Sequence, residues 1–348
     1  MPHGHESEVC AENGKVRHGH ERCGRAGVLM HGDKRQWKGT GSMNIIRMTG
    51  GMGNQMFQYA LYLKLCSLGR EVKFDDISEY DRPGVRPIML WVFGIDYPRA
   101  SKDEINQITD GFLKFSHRVR RKLFGRRSKE YYERSCNFDE QVLLREPAYL
   151  TGYFQSEKYF KDIGEQVREA FTFSGKIWEG LDSGLKERME RYLKRIQSAV
   201  SVAVHIRRGD YLEKDEIYGG ICTEEYYKRA IAYFEEKEPG AVFFLFSNEP
   251  EWVGKWICDN YEDGGRFVVV EGNREDAGYL DMYLMSKCRH YIIANSSFSW
   301  WGAWLGAGED KRIIAPSKWS QNQCYRDIYT EKMIKITEKG ELVEEWES

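Results

Sequence analysis

The chain has 348 residues, and its 52 lysines and arginines nearly balance 54 aspartates and glutamates, which gives a formal net charge of −2. This length leaves room for about two domains with hydrophobic cores. A composition of 41% hydrophobic and 30% charged residues excludes disordered and collagen-like chains, and the near-neutral charge gives no reason to expect nucleic acid as a partner. No apolar run approaches the roughly 18 residues that span a bilayer, which excludes an integral membrane protein.

Residues 1–42 differ in composition from the rest of the chain. They hold five of the eight histidines among glycines and charged residues, without a helical or strand period. Histidine-glycine pairs can hold a metal loosely, but the Gly-Thr-Gly-Ser that directly precedes Met43 is typical of a cloned leader. We therefore interpret 1–42 as an expression tag or disordered leader and expect the folded protein to begin at Met43.

From Met43 onward, short apolar runs alternate with amphipathic stretches. The pattern predicts a strand at 44–48, a turn at 50–53, a helix at 55–68 and a second strand at 71–74. This is a βαβ opening. Residues 77–140 are less regular.

A basic run from Arg118 to Lys129 lies in this irregular region, with seven lysines and arginines in twelve positions. Such a run is most often a solvated helix face. It can also contact an anionic membrane surface or a phosphate-bearing acceptor.

The second half of the chain predicts a regular alternation. Strands are expected at 198–207, 242–247, 267–270, 291–294 and 312–315, and helices at 223–237, 250–260, 276–288 and from Ser297. Repeated strand–helix units favour parallel sheets covered on both faces. We predict an α/β fold with two Rossmann-like domains, 43–195 and 196–348, that face a cleft. Ligands of such sheets bind at the carboxyl ends of strands.

The first predicted strand ends in glycines at 50, 51 and 53, where a helix start offers free N–H groups to an anion. Gly51 and Gly53 could begin a dinucleotide fingerprint, with Asp75 or Asp76 as the ribose-binding acid. Met56 occupies the third glycine position, which opposes this interpretation, and no Lys-Ser/Thr follows to make a Walker motif. A tight turn without any ligand also remains open.

The strand predicted at 198–207 delivers His205, Arg207, Arg208 and Asp210 to one strand end. Side chains alternate along a strand, so His205 and Arg207 share a face. Adjacent guanidiniums at the mouth of a sheet favour an anionic ligand, and a diphosphate suits the planar fork of arginine. The plainer alternative is a surface salt bridge between Arg208 and Asp210.

Two further strand ends carry polar residues. Ser296 and Ser297 stand where a strand leads into a helix, and Asn248 follows the strand at 242–247. Asp281, on the helix predicted at 276–288, could accept hydrogen bonds from a guanine or a ribose, or cap its own helix. Three polar strand ends in one sheet indicate a nucleotide ligand.

Four segments, at 48–60, 149–160, 205–211 and 295–305, together resemble the bacterial α-1,2-fucosyltransferases of glycosyltransferase family 11. The resemblance covers 43–316 in order. It implies a GT-B type architecture, GDP-β-L-fucose as donor, and transfer with inversion to the 2-hydroxyl of a terminal galactose. The domain at 43–195 would face the acceptor and the domain at 196–348 would bind GDP-fucose. The tail after Ser317 departs from the family pattern.

The resemblance also implies roles for individual residues. Its donor-binding set is Asn54, Gln55, Arg207, Arg208, Asn248, Asp281, Ser296 and Ser297. Arg207 would bind the β-phosphate and stabilise the departing GDP, with His205 beside it. The sequence has no Asp-x-Asp pair to hold a metal, so we expect neither metal nor cofactor, with GDP-fucose as a substrate.

The catalytic base is expected at Asp210, with Glu213, Asp215 and Glu216 as alternatives. Asp210 could instead only orient Arg208. Inverting transfer needs such a base because the attacking hydroxyl loses a proton.

Two other functions remain open at this point: a Rossmann oxidoreductase, and a glycan-binding module that has lost turnover.

The acceptor is expected to be a galactose-terminated oligosaccharide or a lipid-linked glycan. We expect the protein in the cytoplasm, where its scattered cysteines stay reduced, with a peripheral contact to the inner membrane. That contact would involve the basic run from Arg118 to Lys129, in which Arg120, Arg121, Arg126 and Arg127 would help to dock a lipid-linked, phosphate-bearing acceptor.

Overall fold

The first half of the chain forms a parallel four-stranded sheet. The protein is described by a computed structural model over residues 42–80, 84–209, 216–271 and 277–343. The elements of the first half are β1 (Asn44–Arg47), α1 (Met52–Ser67), β2 (Val72–Asp75), α2 (Lys102–Thr109), α3 (Phe115–Phe124), β3 (Glu130–Tyr132), α4 (Glu140–Leu144), β4 (Tyr149–Thr151), α5 (Gly164–Ala170) and α6 (Ser183–Gln197). The strand order is β2-β1-β4-β3.

The second half builds a larger sheet. Its elements are β5 (Ser201–Ile206), α7 (Glu224–Lys237), β6 (Val242–Ser247), α8 (Pro250–Asn260), β7 (Phe267–Val269), α9 (Tyr279–Met285), β8 (His290–Ile292), α10 (Ser297–Leu305), β9 (Ile313–Pro316), β10 (Met333–Ile336) and β11 (Leu342–Val343). The strand order is β11-β10-β9-β8-β5-β6-β7. Only the pairing of β10 with β11 is antiparallel in this sheet, as far as the chain is described.

The predicted α/β fold with parallel sheets is confirmed. β6 and α8 have the predicted bounds, and α7 begins after Thr223, whose hydroxyl caps the helix by accepting from the Tyr226 N–H. Helix α9 is shorter than the predicted 276–288, and Asp276 lies outside the described residues. The tail after Ser317, whose role the sequence left open, supplies β10 and β11 to the second sheet.

One aromatic core joins the two halves. The Phe57 ring on α1 lies 4.6 Å from that of Trp300 and 4.9 Å from that of Trp301, both on α10. Trp301 also stacks on Phe160, with ring centroids 5.6 Å apart. Because α1 packs between its own sheet and α10, it is buried on most sides. The first strand and the eighth therefore end close to each other.

Helix α3 carries most of the predicted basic run and differs from every helix just described. None of its residues is buried. Over the described parts of the chain, no helix combines the length and apolarity needed to cross a bilayer.

Candidate active site

The amino-terminal ends of α1 and α10 touch at the carboxyl ends of their sheets. A Cβ atom at Gly53 would lie 2.6 Å from the carbonyl carbon of Ser297 and 2.7 Å from the nitrogen of Phe298. No side chain fits in that space, so the position requires glycine. The glycines at 50, 51 and 53 were open to two interpretations, an anion-binding turn and a tight turn without any ligand. The structure uses Gly53 for contact between the two halves.

Asn54 links three segments at this contact. Its Oδ1 accepts from the Gln155 Nε2 at 2.7 Å and from the Ser297 hydroxyl at 2.8 Å. Its amide nitrogen overlies Gly50, where a Cβ would come within 2.5 Å of it and where φ is +77°. Asn54 and Ser297, both predicted to bind the donor, are therefore bonded directly to each other.

Gln55 is buried within the protein. Its Nε2 donates to the carbonyls of Gly50 at 2.9 Å and Pro87 at 3.0 Å, and its Oε1 accepts from the Met89 N–H at 2.8 Å. These bonds hold the turn after β1 against the segment at 87–89. The amide is therefore engaged inside the protein, and the contact of Gln55 with the donor stays a prediction.

Glu133, which follows β3, holds the turn after β4. Its carboxylate accepts from the backbone N–H groups of Tyr153 at 2.7 Å and Phe154 at 3.0 Å. Phe154 has a φ of +53°, an uncommon conformation for a residue with a side chain. Burial raises the pKa of Glu133, and a Cβ at Gly152 would come within 2.5 Å of the Glu133 Cβ. This turn positions Gln155 for its bond to Asn54.

His205 lies on β5 with its ring centroid 5.6 Å from that of Phe298 on α10. The residue is 6% exposed, and its Nδ1 is buried without a hydrogen-bond partner among the residues that the structure describes. Burial, assisted by the positive charge of Arg207, lowers the pKa of His205 to about 3. The imidazole is therefore neutral near pH 7, so Arg207 carries the positive charge of this pair.

Arg208 turns to the other side of the strand end. Its Nε donates to Glu249 at 3.0 Å, and its guanidinium lies 3.6 Å from the centre of the Trp252 ring. Its backbone N–H donates to the Asn248 Oδ1 at 3.0 Å, and the Asn248 Nδ2 donates back to the Arg208 carbonyl at 3.2 Å. Arg208 thus forms a salt bridge with Glu249, and Asn248 fixes the backbone before Gly209. Asp210, its partner in the alternative interpretation, lies outside the described residues.

Two other predicted site residues, Ser296 and Asp281, precede α10, as does Asn295, which was not predicted as a site residue. The Asn295 Nδ2 donates to the carbonyls of Tyr218 at 3.3 Å and Trp319 at 3.2 Å. Ser296 is 8% exposed and its N–H donates to the Ala294 carbonyl. Asp281 is half-buried in the first turn of α9. Asn295 therefore ties together the loops that flank the site.

The expected catalytic base, Asp210, lies outside the described residues, as do the alternatives Glu213 and Asp215. Glu216, the third alternative, is exposed. The identity of the base stays a prediction from the sequence.

The arrangement can be compared with known proteins. The sequence profile described as glycosyl transferase family 11 matches residues 123–337, which is more than half of the chain. The chain belongs to glycosyl transferase family 11. This confirms the family that the four motifs indicated. The oxidoreductase interpretation is therefore wrong, in agreement with the contact that fills the space beside Gly53.

Two Escherichia coli relatives match this family 11 chain over nearly the whole of their own length. Alpha-1,2-colitosyltransferase is 35% identical, over 85% of this chain and 99% of the relative. The O-antigen biosynthesis glycosyltransferase WbnK is 31% identical, over 78% and 93%. The mouse Galactoside alpha-(1,2)-fucosyltransferase 1 is 29% identical, over 75% of this chain and 62% of the relative.

Solved structures similar to this family 11 chain include a mutant of Arabidopsis thaliana FUT1 in complex with GDP. Its TM-score is 0.44 at 13% identity, over 80% of this chain and 71% of that one. POFUT1 in complex with GDP-fucose also has a TM-score of 0.44, at 12% identity, over 79% and 98%.

Glu133 and Gln155 were missed as site residues by the sequence analysis. Glu133 follows a strand of only three residues inside the irregular region, so no periodic pattern marked it as a strand end. Gln155 stands inside one of the four family motifs, which was the available signal. Its partner, Asn54, lies 101 positions earlier in the chain.

Proposed function

We propose that this family 11 glycosyltransferase is an inverting galactoside α-1,2-fucosyltransferase. It would move L-fucose from GDP-β-L-fucose to the 2-hydroxyl of a terminal galactose on a glycan. The proposal rests chiefly on the pair at the end of β5, where Arg207 is the cation beside a neutral, buried His205. Relatives whose names specify α-1,2 transfer support the linkage.

We propose a GT-B type arrangement for the reaction. The last strand of the first sheet ends at Thr151, and the first strand of the second sheet begins at Ser201. These two separate, mainly parallel sheets support the arrangement. The half at 43–195 would receive the acceptor, and the half at 196–348 would hold the donor with Asp281 near its guanosine.

In the proposed step the galactose 2-hydroxyl attacks the anomeric carbon of fucose from the face opposite the diphosphate. The bond from that carbon to the phosphate oxygen breaks, and GDP leaves with the electron pair. Negative charge develops on the leaving diphosphate, and Arg207 would stabilise it with its planar fork. His205 would lie beside Arg207 and would add no charge of its own. Asp210 would take the proton of the hydroxyl.

A second donor is favoured by one comparison. The 35% identical relative is named for transfer of colitose, which is L-fucose without its 3-hydroxyl. GDP-colitose is therefore the second candidate donor. The two sugars differ in one hydroxyl, so the preference of the enzyme between the two donors would depend on whether a protein group hydrogen-bonds to that hydroxyl.

The experiment incubates the full chain with GDP-fucose or GDP-colitose and a series of β-galactosides that includes lactose. NMR of the product gives the linkage and the anomeric configuration. We expect a 2-linked α-L-fucosyl product. If only colitose is transferred, the donor is GDP-colitose and not GDP-fucose. The absence of a product with every β-galactoside would overturn the proposal. Acceptor binding without turnover would support the glycan-binding module instead.

The same assay tests the expected lack of a metal requirement. We expect equal rates with EDTA and with added Mn²⁺, because Arg207 would supply the charge that a metal supplies in other transferases. Activity that disappears in EDTA and returns with Mn²⁺ would contradict this part of the proposal.

A further inference from the structure

Helix α3 exposes large apolar side chains to solvent. Phe115 is 81% exposed and Leu123 is 69% exposed. At the two ends of the helix, Leu113 is 85% exposed and Phe124 is 71% exposed. Single exposed apolar residues are ordinary, but four of this size within the twelve positions from Leu113 to Phe124 mark an interaction surface.

The apolar side chains of the helix form a stripe that faces away from the protein. Phe115, Val119 and Leu123 follow at intervals of four residues, which places them within one side of a helix. The opposite side holds α3 to the protein. There the Arg121 guanidinium donates to the carbonyls of Asp110 at 2.8 Å and Phe112 at 2.9 Å.

Basic residues flank this stripe. Lys114, Arg118 and Lys122 are exposed and form no ion pair within the described residues. The arginines predicted from the sequence to contact a membrane behave differently. Arg120 pairs with Asp110, and Arg121 donates to the carbonyls beside it, so both fasten the helix.

The other two arginines of the predicted set follow the helix. Arg126 lies 3.9 Å from Glu130, and the Arg127 backbone N–H donates to Asp110 at 3.0 Å. The membrane contact stays a prediction, and among the four arginines named from the sequence the side chains of Arg120 and Arg121 hold α3 to the protein.

We infer that α3 docks on an anionic membrane surface, with Phe115, Val119 and Leu123 in the interface between headgroups and acyl chains. Amphipathic helices with a basic flank bind this way, and lipid phosphates complement the charges of Arg118 and Lys122. A second copy of the chain meeting the same face would bring these cations against their own counterparts. The charges therefore favour lipid over self-association. The inference does not depend on the proposed donor or acceptor.

The test measures co-sedimentation of the full chain with vesicles, without any sugar nucleotide. One set is pure phosphatidylcholine and the other contains phosphatidylglycerol as well. We expect binding to the anionic vesicles, weaker binding to neutral ones, and loss of binding at high salt. Arg118→Glu with Lys122→Glu should weaken binding about thirtyfold or more, since each basic residue near the surface contributes about a factor of five. Phe115→Ser with Leu123→Ser should weaken it at least as much.

Matched controls make the same changes elsewhere. Lys186→Glu with Lys194→Glu reverses two exposed charges on α6, and Leu68→Ser with Leu144→Ser removes two exposed leucines. Neither pair should change vesicle binding. All variants should keep the thermal melt of the starting chain and its rate on a soluble acceptor, because α3 contributes no residue to the candidate site.

Two results would overturn the inference. One is vesicle binding that both α3 variants leave unchanged. The other is no vesicle binding together with a concentration-dependent dimer that Phe115→Ser with Leu123→Ser abolishes, which would assign the surface to a second copy of the chain. Loss of transferase activity alone would bear on the proposed function and not on this surface.

Discussion

The turns after β1 and after β5 both carry polar residues, but they use them differently. After β1, the amides of Asn54 and Gln55 bond to other parts of the protein. After β5, Arg208 bonds to Asn248, which follows β6, while the His205 Nδ1 on β5 finds no partner in the described residues. Several polar residues of both motifs therefore build the shape of the site. In the proposed reaction, the charge that meets the donor would come from Arg207.

The largest expected effect separates the two adjacent arginines after β5. Arg207→Ala should lower kcat by about 10²–10³-fold, because it removes a donor from the leaving diphosphate. Arg208→Ala should lower kcat less than tenfold and act mainly on stability, since its guanidinium contacts Glu249 and Trp252. Steady-state kinetics with GDP-fucose measure both variants. Equal losses would mean that the two arginines share one role.

The second prediction concerns the contact at Gly53. Gly53→Ala should destabilise the fold by about 3 kcal/mol, because the new methyl group meets backbone atoms of α10 that cannot move aside. Gly254→Ala on α8 is the control, since a Cβ there meets nothing within 4 Å. It should stabilise the helix by about 0.5–1 kcal/mol. Urea unfolding measures both changes. A neutral Gly53→Ala would show that the contact is not close.

The third prediction is a pH dependence that distinguishes the β5 turn. The unfolded His205 has an ordinary pKa near 6.5, whereas burial lowers the pKa in the folded protein to about 3. Between these values the unfolded state binds more protons, so stability falls as the pH falls. This residue should cost about 2 kcal/mol between about pH 7.5 and about pH 5.

His205→Asn should remove that part of the pH dependence, as urea unfolding at both pH values would record. His117→Asn, at a half-exposed position on α3, should leave it in place. An unchanged slope in His205→Asn would mean that the imidazole takes up its proton over the same pH range in the folded and unfolded states.

The smallest expected effect lies at the β4 turn. Glu133→Gln replaces one of two carboxylate acceptors by an amide that cannot accept from the Phe154 N–H. We expect a loss of about 1–2 kcal/mol in stability and a raised KM with kcat little changed, because the residue only positions Gln155 and Asn54. The exposed Glu179→Gln is the control. A loss confined to kcat would instead make Glu133 a participant in the reaction.

The elements that could be predicted from the sequence are those long enough to show a regular spacing of apolar residues. The bounds of α8 and β6 follow from apolar spacing and from Pro250 at the helix start. The elements between 77 and 140 escaped prediction because they are short: β3 has three residues and α4 has five. Strand β10 was missed as well, since its pairing with β9 depends on tertiary contact and not on local pattern.

The site was predictable as a set of motifs but not as a set of bonds. The sequence placed Asn54 and Ser297 at strand ends, yet they are 243 positions apart, and nothing in local spacing shows that one accepts from the other. Similarly, strand alternation predicts that Arg207 shares a face with His205, but nothing in the local sequence shows that Arg208 contacts Glu249 and Trp252.

The contact between α1 and α10 also limits the motions that are open to the enzyme. Separating the two sheets would expose the rings of Phe57, Trp300 and Trp301 to water, at about 25 cal/mol for each Å² uncovered. A rotation about the Gly53–Ser297 contact would leave those rings covered, because it moves α1 and α10 least at the point where they touch. We therefore expect any movement between the two halves to be a rotation about this contact and not a separation of the sheets.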